Sequence, residues 1–311
     1  MRCPINQSAG TKIKSNKEVL VGGQAVWQGV MMRSPSGTAL AVRNDSGEIL
    51  TGKISYSPLA SRYRIFRLPF VRGVGALWES LVIGIKALNL SMNLSSSEEE
   101  KLSPSGIIIS LVLALGLVVL LFFVLPYFLS RLFTPILAPG LVLVVEGLLR
   151  FLIFFGYLAL MSLIPDVRNV LFRYHGAEHK VVHAYENGEK LEPEIALKYS
   201  RLHPRCSTSF LLVVLIVSFI VFIFLDFDNY FLRLISRIIL LPIVAGISYE
   251  LIRLFALNPD NFLSKIIIWP GLLTQKLTTC EPGKEQVEVA IVALKMSLMR
   301  ENAGTEGKAP S

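Results

Sequence analysis

All four histidines of this 311-residue chain fall between positions 175 and 203. Three recur every four residues, as His175, His179 and His183, and Glu186 follows three positions later. At about 100° per residue these four side chains occupy roughly 80° of a helix circumference. One helical face is therefore lined with groups that bind metal ions at neutral pH. A single ion cannot use them all. The rise from His175 to Glu186 is about 16 Å at 1.5 Å per residue, whereas zinc ligands converge to about 2 Å from the ion. The spacing predicts a site built on His175 with His179, or on His179 with His183. The remaining ligand would come from elsewhere in the fold, with His183, His203 and Glu250 as the candidates.

His175-Gly176-Ala177-Glu178-His179 also fits the H-x-x-E-H pattern of inverted zincins, in which two histidines one turn apart hold zinc and the glutamate is the general base. Five residues with three fixed positions carry little information alone, and an interfacial amphipathic helix with histidine as an ordinary polar residue fits the same pattern. The clustering of every histidine in one segment favours the metal reading. His203-Pro204-Arg205-Cys206 adds an imidazole and a thiol at the start of an apolar run. Pro204 could equally mark a helix start there, with Cys206 as a small buried residue.

The elements that position these groups are mostly apolar. The chain is 52% apolar and only 17% charged, with a mean hydropathy of +0.56, which places it in the membrane class. Residues 106–133, 136–164, 208–227 and 231–257 are long enough to cross a hydrocarbon core, which takes roughly 20 residues. They read as two hairpins, turning at Pro135 and Pro139 and at Asp226-Phe227-Asp228-Asn229. The expected fold is thus a predominantly α-helical integral membrane protein with about four transmembrane helices, a small N-terminal β unit and amphipathic helices. Of the 31 Lys and Arg residues, 13 precede residue 106, 7 lie in 165–207 and 6 follow residue 257. The positive-inside bias places both termini and the histidine segment in the cytosol.

Residues 1–18 are polar and carry no signal-peptide core. Within 19–66, Ala39 to Arg43 and Glu48 to Thr51 flank Asn44-Asp45-Ser46-Gly47, a hairpin with glycine in the turn. Residues 67–94 place Val74, Leu77, Leu81, Ile85 and Leu88 on one helical stripe, which predicts an amphipathic helix lying on the membrane or on the β unit. Residues 95–105, with Glu98-Glu99-Glu100, read as a solvated linker. A C-terminal cytosolic segment, 258–300, holds a second apolar stripe through Val289, Val292 and Met296, and 301–311 is a polar tail. Cys3, Cys206 and Cys280 form no CxxC pair, which speaks against both a disulfide framework and a thiolate knuckle. The net charge of +8 flanks apolar stretches and is not interleaved with aromatics, so the expected surface partner is a lipid membrane and not nucleic acid. Inside the crossings, Glu146 with Arg150 and Glu250 with Arg253 are spaced for same-helix pairing, and Arg233 and Arg237 could snorkel to the outer interface.

Several segments together resemble the YqhQ-like family of bacterial membrane proteins, a family of unknown function sometimes labelled a predicted metal-dependent enzyme. They are Gly22-Gly23-Gln24-Ala25 with Gly29-Val30-Met31-Met32-Arg33, Ala41-Val42-Arg43, Tyr174 to Lys180, His203 to Cys206, and Leu277-Thr278-Thr279 before Glu281-Pro282. The resemblance covers most of the chain and implies a bacterial cytoplasmic membrane location and a metal site. The family commonly has an acidic residue before its Gly-Val-Met-Met-Arg run and a glycine after His-Pro-Arg-Cys. This chain has Gln28 and Ser207 there, which argues against a carboxylate role at position 28. Two functions follow as expectations. One is a membrane-bound hydrolase using a divalent metal, zinc by ligand type, with Glu178 as base. The other is a non-catalytic scaffold whose basic cytosolic face binds a protein partner. A transporter fits less well, because the crossings show no polar pathway or broken helix.

Overall fold

The computed structural model describes residues 21–95, 104–224, 227, 229–256 and 261–299. The N-terminal polar stretch, the Glu98-Glu99-Glu100 linker, positions 226 and 228 of the turn at 226–229 and the 301–311 tail lie outside the described residues.

Four strands, β1 (Gly22–Val26), β2 (Gly29–Ser34), β3 (Gly37–Arg43) and β4 (Ile49–Lys53), form an antiparallel meander in chain order. At the β3–β4 turn, Asn44 Oδ1 accepts the Glu48 N–H at 2.8 Å and Gly47 sits at φ +83°, a backbone region where any side chain is strained. Both faces of this small sheet are covered. That explains why β2 and β3 read as nearly continuous apolar runs and not as alternating ones. Val30, Met32 and Ala41 face one core cluster, and Met31, Leu40 and Val42 face another.

The second face is covered by α1 (Val71–Ser95), whose Ile83 and Ala87, with Leu90 and Leu94, pack on the sheet. By length and composition α1 could cross a membrane. Its C-terminal half is instead committed to the sheet, and Gly73 in its N-terminal half lies against Gly246 and Tyr249.

Two more helices are long and apolar enough to span, α2 (Ser105–Arg131) and α3 (Pro139–Leu163). The histidines follow on α4 (Arg173–Glu186), and the next candidate span is α5 (Ser207–Phe224). The continuous crossing expected over 231–257 is corrected by the structure. It is a broken pair, α6 (Tyr230–Ile239) and α7 (Leu241–Ala256), bent by 41° where Pro242 begins the second segment. Proline removes a helical N–H and crowds the preceding turn. The break also weakens the sequence argument against a transporter, which leaned on unbroken helices.

Two helices complete the fold, α8 (Phe262–Thr278) and α9 (Lys284–Leu298). The first has no counterpart in the sequence reading. Facing the first side of the sheet, Ala177, Val181 and Ala184 of α4 interlock with Val287, Ala290 and Leu294 of α9. The β unit, the histidine helix and the C-terminal helix are therefore one packed body.

Buried charge is arranged differently from what spacing alone suggests. Glu146 and Arg150 do pair, at 2.8 Å. Arg237 does not snorkel: its side chain is 3% exposed, it donates to Phe222 O at 3.1 Å, and its Nε lies 3.6 Å from Glu146. Glu250 is paired across helices with Arg72 and accepts the Phe70 N–H at 3.1 Å.

Candidate metal centre

The α4 helix is locked in place from both sides. Gly176 passes so close to the Cys280 carbonyl that a Cβ there would collide with it. Lys180, 4% exposed, donates to the carbonyls of Leu197 (3.0 Å) and Tyr199 (2.6 Å) and pairs with Glu281 at 3.0 Å.

His175 and His179 are aimed by these surroundings. His175 Nδ1 lies 2.9 Å from Thr278 O, and His179 Nδ1 lies 2.6 Å from Arg201 O. A carbonyl only accepts, so each Nδ1 carries the proton and each Nε2 keeps its lone pair. His175 Nε2 lies 3.2 Å from Cys206 Sγ. His179 Nε2 is buried with no hydrogen-bond partner, in a residue only 2% exposed. One ligand atom from each of His175, His179 and Cys206 falls within 4.8 Å of the other two. A backbone carbonyl holding the far nitrogen of a ligating histidine is the usual outer support of a metal site, and an orphaned buried nitrogen is a group that calls for a partner. The residues present fit a divalent ion.

A second group, His183, Glu186 and His203, is also close enough to converge, but both imidazoles already use a nitrogen in hydrogen bonds within the fold. His183 Nε2 donates to Leu202 O at 3.0 Å. His203 Nδ1 accepts the Arg205 N–H at 3.2 Å, which leaves its Nε2–H to point at Glu186, 3.4 Å away. Glu186 is also ion-paired with Arg205. Gln275 fixes the His203 backbone from both sides, accepting its N–H and donating to its carbonyl, each at 2.8 Å. This group is a hydrogen-bonded network that buttresses the first.

Glu178 is 6% exposed and accepts the Gly23 backbone N–H. It shares a cavity of about 150 Å³ with His179, His203 and Cys206. Burial raises its pKa above the carboxylate range, opposed by the nearby His175 and His203. Burial lowers the pKa of His179, His183 and His203.

The structure thus brings together His175, His179 and Glu178 and sets His183 and His203 beside them. It does not bring Glu250, which the Arg72 pair holds and which belongs to neither ligand group. Cys206 is the third residue of the first group.

A family model described as "Protein of unknown function (DUF1385)" matches residues 68–300. The chain belongs to the DUF1385 family. It is 36% identical over 305 residues, covering 93% of this chain and 96% of the relative, to "Uncharacterized protein YqhQ" of Bacillus subtilis (strain 168). No solved structure matches it. The DUF1385 match takes in both ligand groups. The sheet that supplies Gly23 lies N-terminal to the matched region, so the Glu178 cavity is closed by residues from inside and outside it.

Proposed function

We propose that this protein is a membrane-embedded, metal-dependent hydrolase whose divalent ion is held by His175, His179 and Cys206. Two imidazoles and one thiolate suit zinc, and a three-residue set leaves a position for water or substrate. A bound ion would act as Lewis acid and lower the pKa of water. Glu178 lies in one cavity with His179 and Cys206, where burial raises its pKa, the direction that makes a carboxylate better able to take a proton. The observation that carries this reading is the buried, unpartnered His179 Nε2 facing the other two ligand atoms.

Metal analysis of detergent-purified protein tests it. Wild type should carry about one equivalent. His179→Ala and Cys206→Ala should lose it, and His183→Ala should keep it. Glu178→Gln should retain the ion while losing hydrolysis in a screen of ester and amide substrates. Metal-free wild type, purified without chelators, ends the proposal. Bound metal with Glu178 dispensable would mean a structural ion and favour the scaffold.

A further inference from the structure

By length and composition α1 passes for a membrane span, but the shared core forbids a crossing there. The sheet before α1 and the histidine helix after α3 pack into one cluster, and α2 and α3, both embedded, already make the round trip between them. A further crossing by α1 would leave the sheet on the far side of the membrane from α4. The sheet accounts for only one apolar side of α1, that of Ile83 and Ala87. At about 100° per residue, Leu77, Leu81 and Leu88 lie within roughly 40° of one another and are turned roughly 120° from that buried pair. All three are exposed, and Trp78 beside them is 58% exposed, against 2% for Ile83. A helix apolar on more than one side is covered on more than one side, so this stripe calls for a second apolar layer.

The segment before α1 indicates what that layer is. Ile65, Leu68 and Phe70 are exposed there, and Arg62, Arg64 and Arg67 are exposed among them. Phe66 folds back against Gly75, which sets this segment beside the first turns of α1. Residues 54–78 contain four arginines and no Asp or Glu, and the fourth, Arg72, is paired with Glu250 of α7. The Arg62 guanidinium lies 5.5 Å from the centre of the Tyr63 ring, and Arg67 donates to the Ala60 carbonyl at 2.8 Å. A ring and a carbonyl orient these side chains without neutralising them. Exposed apolar side chains interleaved with arginine suit the interface of an anionic bilayer. A second copy joined through the same face would instead set these arginines against each other. The surface is also continuous with a helix of the bent spanning pair: Phe70 donates its N–H to Glu250 at 3.1 Å, and Gly246 of α7 packs directly against the Phe70 carbonyl.

We propose that α1 lies in the plane of an anionic membrane leaflet as a layer between lipid and sheet, with Leu77, Leu81 and Leu88 toward the acyl chains and Arg62, Arg64 and Arg67 toward the phosphates. The inference rests on the embedding of α2 and α3 proposed above and does not need the metal. Trp78 is the reporter. Trp27→Phe and Trp269→Phe leave it alone among the three tryptophans. In the full chain reconstituted into nanodiscs, bromines near the headgroup end of the lipid acyl chains should quench Trp78 more than bromines near the chain end. With Trp78→Phe and Leu117→Trp added, the single tryptophan sits in the middle of α2 and should show the reverse order. Brominated phosphatidylglycerol, as a minor component, should quench Trp78 by about twofold or more over the same amount of brominated phosphatidylcholine. A triple Arg62→Gln, Arg64→Gln, Arg67→Gln variant should erase that difference. Strongest quenching of Trp78 from the chain end would make α1 a crossing and overturn the inference. So would a Trp78 that no brominated lipid quenches while Leu117→Trp is quenched, whether it then faces water or a second copy. Equal quenching by the two headgroups overturns the anionic assignment. An unquenched Leu117→Trp refutes the embedding of α2 itself, and the inference falls with it.

Discussion

Burial holds His179, His183 and His203 in the neutral form, with pKa values below the 6.5 of an unperturbed imidazole. Between those lowered values and 6.5 the unfolded chain binds more protons than the folded one, so their contribution to stability is complete above 6.5 and is lost as pH falls. Glu178 has the opposite sign. Its raised pKa lets the folded state keep a proton that the unfolded state has released above 4.5, so its contribution declines as pH rises. Metal-free protein should therefore melt at a lower temperature at about pH 5.5 than at about pH 7.5. His183→Asn should make the dependence shallower and Glu178→Gln should make it steeper; thermal unfolding across that range reads both slopes, and matching slopes in all three proteins would refute the assignment. The histidine spacing made the His175 and His179 pair legible in the sequence. Cys206 was ambiguous because a lone cysteine beside a proline reads equally as a buried small residue. Glu250 was misread because pairing rules along one helix cannot see Arg72, which is distant in sequence and adjacent in space.

The elements that aim the ligands do so largely with backbone atoms. Thr278 and Arg201 orient His175 and His179 through their carbonyls, and any residue type could supply a carbonyl at those positions, so composition and periodicity carry no trace of them. The helix Phe262–Thr278 escaped notice because Pro270 interrupts its apolar run, and proline usually marks the end of a helix. In contrast, the hairpin at Gly47 was readable because turn chemistry acts locally, whereas the helix Val71–Ser95 was readable but its packed face was not: Leu77, Leu81 and Leu88 of the expected stripe are exposed, and Ile83 and Ala87 are buried against the sheet. The strand β1 offers a direct test of how closely sheet and site are coupled. A Cβ at Gly23 would collide with the Met31 carbonyl, approach Met32 Sδ to 2.9 Å and lie 3.2 Å from Glu178 Cγ. Gly23→Ala should therefore destabilise the protein by about 1–3 kcal/mol, the usual cost of overpacking. It should also impair hydrolysis through the displaced Glu178 while leaving bound metal intact, since none of the three atoms nearest the added Cβ belongs to His175, His179 or Cys206. Chemical denaturation with parallel metal analysis checks this, and wild-type stability would show that the strand yields freely.

At the scale of the molecule, one packed body is assembled from three separated parts of the chain. The sheet precedes the helices Ser105–Arg131 and Pro139–Leu163, the histidine helix follows them, and the helix Lys284–Leu298 comes after Ser207–Phe224 and the bent pair. All three parts share a single apolar core, so if the apolar helices are embedded, the chain must return to the same side of the membrane after each group. This requires an even number of crossings in each group and explains how two hairpins can carry one packed body. From the distribution of Lys and Arg we propose that this body faces the cytosol. Asn187 is exposed just past the histidine helix, and Thr134 is exposed in the turn between the first two apolar spans. In a Cys3→Ser, Cys280→Ser background that keeps the buried Cys206, Asn187→Cys should resist a membrane-impermeant maleimide in intact cells and react once they are permeabilised. Thr134→Cys should react in intact cells. Reversed labelling would turn the molecule over. Labelling of both positions from the same side would mean that Pro139–Leu163 does not complete a crossing, which would leave the shared core without the pair of spans it needs to close.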